Sequence, residues 1–153
     1  MKILLAIDGS DFSKVAIKEL AKFPLPMESE VCIINVYEYR ALPTSGLHST
    51  TATLYKYPDE AINNAQKIGN KIISEAIKIL KEKNGSLIIT TSVVSGLPKK
   101  EILEKAGSFG ADLIVVGSQG HGAFSRFLLG SVSQYVATHA NCSVMIARKK
   151  NEK

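Results

Sequence analysis

Hydrophobic positions in this chain fall into five short runs with four longer stretches between them. The runs cover residues 2–7, 31–37, 86–94, 112–116 and 143–147. Most are continuous and rich in β-branched residues rather than alternating, the pattern of strands covered by helices on both faces. After the first run, Val15, Ala16, Ile17, Leu20 and Ala21 form one apolar stripe, with Ser13 offering a second cap after Ser10 and with Pro24 and Pro26 as stops. From Asp59 to Lys83, Ala61, Ala65, Ile68, Ile72, Ala76 and Ile79 recur at three and four, widened by Ile62, Ile73, Ile77 and Leu80. This spacing predicts the longest helix, packed on a sheet face and ended by Gly85. Gly69 inside it costs up to about 1 kcal/mol against alanine, which signals close packing. Gly96 and Pro98 open a third helix carrying Ile102, Leu103 and Ala106, with Gly107 and Gly110 ending it. A fourth runs from Ser131 to about His139, with Val132, Val136 and Ala137 on one face and Ser131 in the character of an N-cap.

Strand and helix alternate throughout, so the expected class is α/β: a mainly parallel five-stranded sheet with right-handed crossovers and helices on both faces. Residues 39–57 break the alternation. They carry Pro43, Gly46, many Ser and Thr, and scattered Leu and Tyr, with His48 alone among them. A connection of that length without a regular element reads as a cover or a contact surface. Neither an internal repeat nor a low-complexity segment is present.

The 153 residues suit one domain, taken as residues 1–150. Lys and Arg total 19 against 14 Asp and Glu, and part of the +5 excess sits at the C-terminus in Arg148, Lys149, Lys150 and Lys153. That balance favours acidic small ligands or weak contact with polyanions, and chiefly serves solubility. With no basic helix face, zinc-finger spacing or stacking motif, it points away from nucleic acid. Cys32 and Cys142 stand in apolar stretches without partners at metal-ligand spacing, as buried thiols in a reducing compartment do. No apolar run reaches membrane-spanning length, and the chain opens directly into a strand, so a cytoplasmic location is expected.

The candidate chemistry lies after the fourth run. Gly117, Ser118, Gln119, Gly120, His121 and Gly122 place three glycines in six residues, which permits close approach of a ligand to the main chain. Gly130 and Ser131 then begin a helix, whose first N–H groups point at whatever lies in front of them. A strand end, a glycine loop and a helix N-terminus together suit a phosphate, with Ser118, His121, Ser131 and Ser133 nearby, although glycines after a strand can also serve only to turn the chain. The stretch matches neither G-x-G-x-x-G nor G-x-x-x-x-G-K-[ST]. Asp8 follows the first strand directly. It can face the same crevice beyond the strand ends, and it can cap the next turn through Ser10 or Asp11.

These residues resemble the universal stress protein family over essentially the full chain. The late stretch matches the ATP-binding branch: Gly117, two residues, Gly120, nine residues, then Gly130 and Ser131. LLAIDGSDFS and GSVSQYVATHANCSVMIARK are similar to the family's first strand and last helix–strand unit. The resemblance implies a sheet of order 3-2-1-4-5 with a crevice between strands 1 and 4. It implies ATP, with Mg2+ as a bridging ion, as the ligand. By position, Ala6, Ile7 and Asp8 would line the adenine and ribose end, and Val36 would contact the base. Gly117, Gly120, His121 and Gly122 would hold ribose and phosphate through backbone groups, and Gly130, Ser131, Val132 and Ser133 the phosphates. A homodimer paired through Val144, Met145, Ile146 and Ala147 is implied as well. Two departures stand out: Cys142 is followed by Ser143 where many relatives have Cys-Pro, and His121 occupies a position often basic, with Arg126 able to compensate.

Four readings follow. An ATP-binding regulatory or stress-response module is the leading one. A slow ATPase would draw on Asp8, His121 and Arg126, none with a recognisable partner. A nucleotide-free homodimeric interaction module, engaging an unidentified protein partner through residues 39–57, is the alternative. A flavodoxin-like flavin site would need its phosphate loop at residues 8–13, which hold a single glycine.

Overall fold

The structure, a computed structural model, describes residues 1–38, 59–121 and 129–149. Gly122, Arg126, His48 and the 39–57 segment lie outside the described residues. Five strands form one parallel sheet: β1 (Lys2–Ala6), β2 (Glu30–Tyr37), β3 (Ile88–Ser95), β4 (Leu113–Gly117) and β5 (Ser143–Ala147). Their order is β3-β2-β1-β4-β5, as expected. The register pairs Leu4 with both Cys32 and Ile114, so β1 is the central strand, enclosed on either side.

Alternate residues of β1 enter different cores. Ile3 and Leu5 join Ile17, Leu20, Ile73 and Leu80 beneath α1 (Asp11–Lys22) and α2 (Asp59–Lys83). Leu4 and Ala6 join Ile102, Ala106 and Val136 beneath α3 (Pro98–Phe109) and α4 (Ser131–His139). Period-two direction along a strand sandwiched by helices explains why the run needs apolar residues at every position. The edge strand β3 departs from that pattern: Ile88 is 51% exposed, and Thr90 and Thr91 face solvent.

Several local expectations are corrected. The cap of α1 is Ser10, whose Oγ accepts from Ser13 N at 3.2 Å; Ser13 lies inside the first turn and donates its own hydroxyl to Ser10 O. The buried face of α2 runs through Gly69, Ile73, Ala76 and Leu80, while Ile68 is 53% exposed. Helix α2 is followed by Asn84, whose Oδ1 accepts from Ser86 N, so an asparagine turn precedes Gly85. Gly107 sits within α3, and Gly110 alone, at φ 69°, terminates it. Ala137 faces out from α4. The N-cap of α4 is Gly130 rather than Ser131.

Candidate functional site

The strand order reverses between β1 and β4. Helix α1 leaves β1 toward one face of the sheet, while α4 follows β4 on the other, so their N-terminal ends part and open a crevice above the strand ends. A cavity of about 330 Å³ occupies it. Such a volume suits a small ligand.

Eleven of the twelve residues expected at a site line this cavity: Ala6, Ile7, Asp8, Val36, Gly117, Gly120, His121, Gly130, Ser131, Val132 and Ser133. Gly122 falls outside the described residues. Ile34, Pro98, Ile102 and Val116 also line it and make one wall apolar; Ser13, Glu38 and Gln119 complete it. Sequence reasoning missed this wall because a strand buried on both faces carries no mark of which residues, here Ile34 and Val116, point into a crevice, and only docking of α3 brings Pro98 and Ile102 there.

The turn after β1 is held from several sides. Asp8 Oδ1 accepts from Ser10 N at 2.9 Å, the capping role open to it from the sequence. Its other oxygen accepts from His121 N at 3.3 Å. The His121 ring places Nε2 2.9 Å from Asp8 O, and a carbonyl only accepts, so Nε2 carries the proton. His121 therefore ties the glycine loop to β1 through both its backbone and its ring. Gly9, at φ 85°, makes the turn and donates to Ser13 Oγ at 3.1 Å.

The glycines have packing reasons of their own. A Cβ on Gly117 would stand 2.7 Å from the backbone carbon of Phe12, so α1 lies directly on the end of β4. A Cβ on Gly120 would stand 2.7 Å from Asp8 Oδ2.

The two ends of the loop are stapled together. Gly130 N donates to Ser118 O at 2.8 Å, and Ser118 N to Ala147 O at 2.8 Å. The buried Ser133 hydroxyl lies 2.9 Å from both Ser118 O and Gly130 O, which share its single proton. That proton is committed to the backbone, so the donor Ser133 can offer a phosphate is its N–H. Gly130 contributes no side-chain cap, and the helical bonds begin with Gln134 N to Gly130 O. Gly130 thus supplies no side-chain cap to the first-turn N–H groups of α4, and Ser131, Val132 and Ser133 line the cavity.

Charge at the site is sparse. Asp8 and Glu38 are the ionisable lining residues besides His121, and no Lys or Arg lines the cavity among the described residues. Attraction for an anion would come from backbone amides and the positive end of α4. Among the described residues no group of three His, Cys, Asp or Glu is arranged to hold a metal ion. No helix among them is long and apolar enough to cross a membrane. Cys32 is buried, Cys142 is half-buried, and both thiols are free.

Comparison with known proteins agrees with this architecture. The model of the universal stress protein family matches residues 1–148. Universal stress protein YxiE of Bacillus subtilis is 35% identical over 147 residues, covering 96% of this chain and 98% of that one. Universal stress protein UspA of Lactobacillus plantarum superposes with a TM-score of 0.70 at 24% identity, covering 97% of each chain. A universal stress protein solved in complex with cAMP superposes with a TM-score of 0.66 at 25% identity, covering 97% of this chain and 96% of that one. From strand order, motif spacing and full-length similarity together, the chain belongs to the universal stress protein family.

Proposed function

We propose that the crevice between β1 and β4 binds an adenine nucleotide, ATP in particular, and that the protein acts as a small regulatory or stress-response module. The observation that carries this reading is the first turn of α4, to which Gly130 supplies no side-chain cap, lining the same cavity as the apolar Ile34, Val36, Pro98, Ile102 and Val116. A flat apolar base and a polyanion at opposite ends of one ligand suit that division. The solved relative holding cAMP supports the adenine part.

Ala6, Ile7 and Val36, with Ile34 and Ile102, would take the base, and Asp8 the ribose. Gly117, Gly120, His121 and Gly122 would line the ribose–phosphate path. The N–H groups of Ser131, Val132 and Ser133, behind Gly130, would face the phosphates. With one carboxylate at that turn and no three-ligand cluster, Mg2+ would be carried in on the phosphate oxygens rather than held by a protein cage.

Hydrolysis would be slow at most. Asp8 and the His121 ring both hold the turn, and among the described residues no Lys or Arg lines the cavity to stabilise a leaving phosphate. A homodimer through Val144, Met145, Ile146 and Ala147 fits the position of β5 at an open sheet edge, which a second copy would cover. A cytoplasmic site of action goes with such a ligand.

Titration calorimetry with ATP tests the reading. Saturable binding is expected in the wild type and none with Gly130→Val, because the first methyl at residue 130 already meets Gln119 Cα at 3.1 Å and Ser118 O at 3.4 Å. Absence of binding by the wild type at millimolar adenine nucleotide would remove the assignment and leave the interaction-module alternative.

A further inference from the structure

Two residues break the local rules of their elements, and they meet. Asn35 places an amide inside β2, at 5% exposure, in a strand whose other interior residues are apolar. Gly69 stands in the interior of the 25-residue α2, where glycine weakens a helix. A Cβ on Gly69 would lie 2.6 Å from Asn35 Oδ1 and 2.8 Å from Val93 Cγ1. The helix therefore seats on the amide only because residue 69 has no side chain. The other end of the amide is engaged as well: Nδ2 donates to Ile7 O at 2.8 Å in a buried bond.

That bond is made to a residue of the cavity wall. Strand β1 ends at Ala6, Ile7 N still reaches Ile34 O at 3.0 Å, and Asn35 takes the carbonyl that follows. The next residue is Asp8, whose carboxylate and carbonyl both face His121. An apolar side chain at 35 would suit the core but would leave Ile7 O without this donor. Asn35 itself does not line the cavity.

We infer that Asn35, seated by Gly69, is a positioning residue of the ligand site, acting through the Ile7 carbonyl on the orientation of Asp8. The effect on affinity rests on the nucleotide reading above; the effect on the turn does not. Two variants separate the roles. Asn35→Leu keeps roughly the volume and removes the donor, while Gly69→Ala keeps the amide and displaces it from behind. Each is measured by calorimetry with ATP and with adenosine, by thermal unfolding, and by hydrogen exchange at the amides of Gly9, Ser10 and His121. The expected result is a loss of about tenfold in affinity, equal for ATP and adenosine because Asp8 serves the nucleoside end. The three amides should exchange faster while Val115 in β4 keeps its protection. Unchanged affinity with unchanged exchange in a folded variant overturns the proposal, and so does a uniform rise in exchange across the sheet. If the wild type binds neither ligand, the nucleotide reading fails and the local exchange pattern alone decides the role of Asn35. Should Asn35→Leu not fold, Gly69→Ala decides it.

Discussion

Replacing Gly120 by alanine adds one methyl where the glycine loop faces the end of β1. The new Cβ would lie 2.7 Å from Asp8 Oδ2, against 3.4 Å for ordinary contact, so the carboxylate must yield by about 0.7 Å. Gly120 is not among the glycines of positive φ, so the backbone accepts alanine and the clash is the whole perturbation. The carboxylate is held by Ser10 N at 2.9 Å and His121 N at 3.3 Å, and such a shift takes the longer bond out of range. For a half-exposed carboxylate the loss comes to about 1–2 kcal/mol. In a chain of this size that lowers the thermal midpoint by about 3–6 °C. Adenosine affinity should fall about tenfold, since Asp8 moves away from the nucleoside end. Scanning calorimetry reads the first effect and titration calorimetry the second, each repeated in an Asp8→Ala background. With no carboxylate to displace, Gly120→Ala should there be nearly neutral, leaving a coupling energy of the same size as the single effect. An equal loss in both backgrounds, or none in either, would refute the reasoning.

Gly117→Ala presses on the backbone of Phe12 rather than on a side chain, so it should cost about 1–3 kcal/mol in urea unfolding. Wild-type stability would contradict the packing of α1 on β4. Burial, with the Asp112 carboxylate adding to it and a bond to the Ile114 backbone opposing it, pushes the Cys142 thiol above its ordinary 9.0. The unfolded chain then releases this proton first, so stability should fall as pH rises above about 9, and Cys142→Ser should flatten that part of the profile. A slope identical in both proteins would show the thiol to be uncoupled. Sedimentation velocity at micromolar protein should give a dimer; a monomer would remove the pairing proposed for β5.

Much of the fold was legible because apolar runs and stripes carry their own periodicity. The bounds of α2 and β5 could be read to the residue, and the spacing of Gly117, Gly120, Gly130 and Ser131 located the crevice. What stayed hidden depends on tertiary packing. Helix α2 has isoleucines on several faces, and only docking selects Ile73 over Ile68 for burial. Gly130 and Ser131 are both acceptable N-caps, and the distinction rests on one backbone torsion. Ser133 reads in the sequence as a polar group near the phosphates, yet its hydroxyl proton is spent on Ser118 O and Gly130 O. The reason for Gly69 lies in Asn35, thirty-four residues earlier, and no local pattern connects them.

A crystal grown with excess ATP tests the central assignment most directly. The account predicts adenine against Val36 and Ile102, with phosphate oxygens within hydrogen-bond distance of the backbone N–H groups of Ser131, Val132 and Ser133. A crevice filled instead by the protein's own side chains, or a nucleotide bound elsewhere on the surface, would contradict it.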